Sequence, residues 1–196
     1  MAAQMLSGKG FDNIINVTGG IKAWDSHVAV GPEDLGIELL TGKESIEETL
    51  VAAYSLEAGL RDFYLSMIEK VEQRDIQNLF QKLSKIEQLH QDRIFNEYLQ
   101  VSGKQVSRES FDNELVVKAV EGGLTTEEYV QRFQPDWDSA VDIISLAMSI
   151  EAQALDLYTR ASERSIDPRS QTALKQIAEE ERVHLEALGK LMDERA

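Results

Sequence analysis

The sequence predicts an all-α protein: a four-helix bundle with one long crossover between helices 2 and 3, preceded by a small mixed appendage. Three observations carry this. Beyond residue 40 the chain turns into long charged amphipathic stretches whose two prolines, Pro135 and Pro168, fall at helix boundaries. Four such stretches are long enough to be bundle helices, and each is bounded by recognisable start and stop signals. Before residue 40, by contrast, Gly8, Gly10, Gly19, Gly20, Gly31 and Pro32 space out only very short elements.

In the appendage, residues 13–17 (Asn-Ile-Ile-Asn-Val) read as a short strand, flanked by helical pieces near residues 2–6 and 20–24. A piece of this size does not fold alone. Helix 1 opens at one of two capping boxes, Thr41-x-x-Glu44 or Ser45-x-x-Glu48, and runs to about residue 71 with Ile46, Leu50, Ala53, Leu60, Tyr64 and Met67 on one face. Helix 2 spans about 75–101, with Leu79, Leu83, Ile86, Ile94 and Tyr98 inward, and stops at Ser102-Gly103. Helix 3 spans about 138–164. Helix 4 begins where Asp167 caps and Pro168 fits the first turn, and it continues to near residue 196. The intervening residues 102–137 are long for a bundle connection and imply a crossover along the bundle. That crossover reads as partly helical: residues 114–120 are amphipathic, Gly122-Gly123 breaks them, and Thr125-x-x-Glu128 leads into Tyr129 and Phe133.

Composition narrows the function classes. The 196 residues carry 35 acidic and 20 basic side chains, a formal charge of −15, which disfavours nucleic acid and anionic membranes as partners. Cysteine is absent, so the chain holds no thiol nucleophile, Cys-ligated zinc or iron–sulfur centre. With no long uncharged apolar run and no signal-like start, the protein reads as soluble and cytoplasmic.

The chemistry lies in two copies of one motif. Glu87-x-x-His90 and Glu181-x-x-His184 each put a carboxylate and an imidazole on one face of a helix. Glu57 and Glu151 lie 30 residues before Glu87 and Glu181, so the halves are offset by 94 throughout. Ser55-Leu-Glu57-Ala58 and Asp62-Phe-Tyr64 recur at the same offset as Ser149-Ile-Glu151-Ala152 and Asp156-Leu-Tyr158. The bundle is therefore an internal duplication of a helical hairpin.

In each hairpin the two glutamates lie equidistant from the turn, roughly 22 Å away at 1.5 Å rise per residue, so all four occupy one layer. Each also interrupts an apolar stripe, which predicts burial. Four buried carboxylates are severely destabilising alone, whereas two divalent cations balance them with both histidines neutral. The carboxylate–imidazole set suits iron, with manganese possible, better than structural zinc. Tyr64 and Tyr158 read first as core aromatics and secondarily as hydrogen-bond donors to a ligand carboxylate. Glu179 and Glu180 read as a solvated charge run, and His27 as a surface residue without partner spacing.

These residues resemble a ferritin-like di-iron domain of the rubrerythrin family over residues 41–196. The resemblance implies Glu57 and Glu151 as ligands from helices 1 and 3, and Glu87, His90, Glu181 and His184 as ligands from helices 2 and 4, around two iron ions. It implies a di-iron peroxidase or oxidase in oxidative-stress defence, reducing hydrogen peroxide or dioxygen with electrons from an external donor protein. Ferroxidase action and a metal-stabilised structural or interaction bundle are the alternatives. The pattern departs from the family at Ala154, where rubrerythrins carry a further glutamate three residues after the helix-3 ligand. Residues 3–24, through Thr18-Gly-Gly20 to Trp24, resemble the last helix–strand–helix portion of a rhodanese domain, so residues 1–40 form a rhodanese-like remnant. The catalytic cysteine of that family is absent, and no sulfurtransferase activity is expected. Trp24 is expected to pack the appendage onto the bundle or another chain. The unpaired strand at 13–17 predicts a homodimer.

Overall fold

The structure is a computed structural model and describes residues 39–115 and 126–195. Six helices occupy them: α1 (Ile46–Ile68), α2 (Arg74–Ser102), α3 (Arg108–Leu115), α4 (Thr126–Phe133), α5 (Ala140–Arg164) and α6 (Pro168–Asp193). The four long ones are the bundle, paired as the hairpins α1–α2 and α5–α6, with α1 also against α6. The strand at 13–17, Trp24, His27 and the Thr125 capping box lie outside the described residues, as does the dimer expectation built on that strand. Leu40, the final residue of the expected appendage, is buried in the bundle core.

Of the two capping patterns near the start of α1, the second forms complete and opens the helix, while at the first the Glu44 carboxylate accepts from Thr41 and Gly42. Thr41 and Gly42 donate backbone N–H groups to the Glu44 carboxylate at 2.9 and 2.8 Å. Gly42 has φ +91°, which takes the chain out of the helical region and closes a turn there instead. Ser45 is the cap: Glu48 donates its N–H to the Ser45 hydroxyl, and the Glu48 carboxylate accepts the Ser45 N–H at 2.8 Å. The other ends follow the same local rules. Gly103, at φ +64°, donates its N–H to Leu99 and ends α2, Ser139 caps α5, and Asp167 caps α6 ahead of Pro168.

Gly42 also joins the two hairpins, because its carbonyl accepts the N–H of Ile166 at 3.1 Å in the α5–α6 turn. A Cβ at this position would lie 2.4 Å from the Arg164 carbonyl oxygen. Gly42→Ala is therefore expected to cost at least about 2 kcal/mol, from the left-handed backbone and the forced shift together. Urea unfolding measures it, and a loss under about 0.5 kcal/mol would show that the turn yields freely.

The core is divided. One apolar cluster takes Leu50, Ala53 and Leu56 of α1, Ile94 of α2, Leu157 and Ala161 of α5, and Leu174 and Ile177 of α6. The other takes Leu60, Phe63 and Met67, then Phe80 and Leu83, then Ile144 and Ile150, and finally Leu188. On all four helices the predicted Glu and His positions fall between these sets. The order of the clusters along each helix also gives direction: α1 and α6 run one way, α2 and α5 the other. Since α2 and α5 are parallel, the chain must return along the bundle's length between them, which is why the connection is long.

That connection is held by α3. Phe111 is buried against the rings of Tyr54, Phe95 and Tyr98, with centroids 4.9, 5.0 and 4.8 Å away. Tyr54 donates its hydroxyl to Asp112 and accepts from Arg108 Nε at 2.6 Å, while Arg108 pairs with Asp92 at 2.7 Å. Burial, and then the Asp112 carboxylate, push the Tyr54 hydroxyl up to about 12. It stays a neutral donor.

Candidate metal centre

Glu57, Glu87, Glu151 and Glu181 are fully buried, and His90 and His184 nearly so. Helix periodicity places Glu87 beside His90 and Glu181 beside His184, and the antiparallel hairpins bring Glu57 and Glu151 to the same level. His90 Nδ1 lies 3.2 Å from Glu57 and 3.1 Å from Glu87. His184 Nδ1 lies 3.2 Å from Glu151, 3.3 Å from Glu181 and 3.1 Å from Glu87. The two imidazoles are stacked, 5.3 Å apart and 11° from parallel.

Three overlapping sets have ligand atoms mutually within 4.8 Å: Glu57, Glu87, His90 and Glu181; Glu151, Glu181 and His184; and Glu87, His90 and His184. Glu87 and Glu181 each belong to two sets. That is the arrangement expected of carboxylates shared between two neighbouring ions, with Glu57 and Glu151 at either end.

The electrostatics favour cations. Burial opposes charge on His184, yet the Glu151 and Glu87 carboxylates outweigh it and push the imidazole up to about 9. His90 is likewise raised against its burial, chiefly by Glu57. Glu57, which burial alone would raise, is held below the usual carboxylate range by its hydrogen bond to His90. A site that draws protons onto both imidazoles offers the same field to divalent cations. The donor set of four carboxylates and two imidazoles fits iron or manganese.

The two tyrosines do more than fill the core. Tyr64 of α1 donates its hydroxyl to Glu151 of α5, and Tyr158 of α5 donates to Glu57 of α1 at 3.2 Å. Each hairpin therefore orients the outer glutamate of the other. Glu180 departs from the solvated reading: it is partly buried, pairs with Arg93 at 2.7 Å, and brings a carboxylate oxygen to 3.9 Å from His90 Nε2. Glu179 is exposed and pairs with Arg182. The signal for Glu180 and Arg93 lay in the repeat, since their counterparts 94 residues away are Ile86 and Ala187.

Fold and site together define a helical bundle whose interior carboxylate–histidine cluster can hold metal. The rubrerythrin family model matches residues 48–193, and the chain belongs to the rubrerythrin family of ferritin-like di-iron proteins. A solved structure described as Hypothetical Protein Pfu-1136390-001 from Pyrococcus furiosus is similar in fold. It is 23% identical with a TM-score of 0.55, over 81% of this chain and 94% of that one. No curated protein matches the sequence. Among the described residues, no helix is long and apolar enough to cross a membrane.

Proposed function

We propose that the protein is a di-iron oxidoreductase that reduces hydrogen peroxide, taking electrons from an external donor protein. The observation that carries this reading is the pair of Glu/His sets sharing Glu181, with ligand atoms within 4.8 Å inside a buried layer. Glu57 and His90 would hold one ion, Glu151 and His184 the other, and Glu87 and Glu181 both. Two ferrous ions held there would supply the two electrons that, with two protons, take peroxide to water. The chain's residues provide the setting: apolar clusters on both sides keep bulk water from the layer, and the Tyr64 and Tyr158 hydroxyls hold the outer carboxylates in place. With no cysteine in the chain, no rubredoxin-type iron within it can return those electrons, so turnover requires another protein.

Ferroxidase action is the second reading, and Ala154 favours it. This fully buried position is apolar where a further glutamate is characteristic of rubrerythrins, leaving a symmetric set of four glutamates and two histidines. Stopped-flow mixing of the anaerobic diferrous protein with peroxide or with dioxygen separates the two. Peroxide is expected to reoxidise the protein faster, with repeated turnover only when a reductant is added. Reoxidation no faster with peroxide than with dioxygen, together with repeated consumption of excess Fe(II), would replace peroxide reduction by ferroxidase action.

A further inference from the structure

The two histidines differ on the sides turned away from the carboxylate layer. Behind His90, Glu180 of α6 places a carboxylate oxygen 3.9 Å from Nε2. Arg93 of α2 grips that same oxygen at 2.7 Å, and Gln176 donates to the other at 3.3 Å, so the carboxylate is fixed from both sides. The repeat places Ile86 where Glu180 would stand behind His184, and Ala187 where Arg93 would stand. No such pair can form there. Exposure differs in the same sense: the His90 side chain is 10% accessible and that of His184 is 2%.

The difference has a chemical consequence. Both imidazoles turn Nδ1 toward the glutamates. An imidazole that gives Nδ1 to a metal keeps its one proton on Nε2. For His90 a carboxylate oxygen lies 3.9 Å from that nitrogen, too far for a hydrogen bond but close enough for its charge to favour the proton on Nε2 and make the coordinating nitrogen a better donor. For His184 the corresponding side chains are apolar. The glutamates facing the rings do not make this difference, since Glu57, Glu87 and Glu181 gather at His90 and Glu151, Glu181 and Glu87 at His184.

We propose that the two metal positions are inequivalent, that the position at Glu57 and His90 fills first and binds more tightly, and that Glu180 is the positioning residue responsible. This rests on the metal-binding reading above. Behind the histidines the two halves of the repeat differ at this pair of positions, which gives two otherwise similar ligand sets different affinities.

Titration of the metal-free full-length protein with Co(II), followed by visible absorbance and calorimetry, tests it. Two binding steps separated about tenfold or more in affinity are expected. Glu180→Gln, which keeps the size and removes the charge, should weaken the first step about tenfold and leave the second and the metal-free unfolding temperature unchanged. The shifted, exchangeable N–H proton of His90 in the Co(II) protein should exchange with water faster in that variant. Ile86→Glu/Ala187→Arg, at partly exposed positions, should strengthen the second step and bring the two together. Two ions bound with equal affinity in the wild type would overturn the inference while leaving the metal centre standing. An unchanged separation in the Ile86→Glu/Ala187→Arg variant would also overturn it, whether or not Glu180→Gln folds. Absence of Co(II) binding would overturn both readings.

Discussion

Loading the metal-free protein with Fe(II) under anaerobic conditions is expected to raise its thermal unfolding midpoint by roughly 10–20 °C, and Glu57→Ala/Glu151→Ala is expected to abolish that rise. The magnitude follows from linkage. An ion present at a hundred times its dissociation constant stabilises the folded state by about 2.7 kcal/mol, so two ions contribute about 5 kcal/mol. For a domain of this size each kcal/mol moves the midpoint by roughly 2–4 °C. The effect is large because the metal-free layer is costly: four carboxylates without exposure to water lie between two apolar clusters, held by two imidazoles and two tyrosine hydroxyls in place of cations. Removing Glu57 and Glu151 takes the outer carboxylate from each set. Glu57→Gln/Glu151→Gln, which retains an acceptor for both tyrosines, separates loss of charge from loss of packing and should lose the metal-dependent rise as well. An undiminished rise in both variants, with two ions still bound by elemental analysis, would show that these glutamates are not the outer ligands.

Phe111→Ala is expected to destabilise the protein by about 3–5 kcal/mol. Phe111 is 1% exposed and contacts three aromatic rings on two bundle helices. Its removal leaves a cavity whose walls belong to long helices fixed by the rest of the core, so collapse is limited. The loss also loosens α3, whose other attachments include the Tyr54–Asp112 and Arg108–Tyr54 bonds, the partly exposed Arg108–Asp92 pair, and the Arg108 guanidinium over the Tyr54 and Phe95 rings. Denaturant unfolding measures the loss, and hydrogen exchange should show faster exchange in α3 than in α2 or α5. A loss below about 1 kcal/mol would mean that the crossover does not depend on this anchor.

The bundle and its buried carboxylate–histidine layer were legible because the relevant relations are local. Glu87 with His90, and Glu181 with His184, share a face wherever those segments are helical, since helix geometry alone sets the spacing. The 94-residue repeat then relates the two hairpins without any knowledge of how they pack. The caps at Ser45, Ser139 and Asp167 are equally local, each depending on a side chain and an N–H two or three residues on. Less was readable where two local signals competed. Thr41 and Ser45 both head capping boxes, and Gly42's left-handed backbone, tied to Ile166 across the bundle, decides between them.

By itself, then, the sequence determined the helices, the crossover and the six buried Glu and His positions, because burial of periodic apolar stripes and i,i+3 spacing need only one helix at a time. Tertiary structure alone decided which side chains meet across helices. Tyr64 reaches Glu151 and Tyr158 reaches Glu57 because α1 and α5 are rotated and staggered by the packing of the whole core. Glu180 sits behind His90, rather than in solvent beside Glu179, for the same reason. Rotation and stagger are properties of the summed contacts among four helices, and no spacing within one helix encodes them.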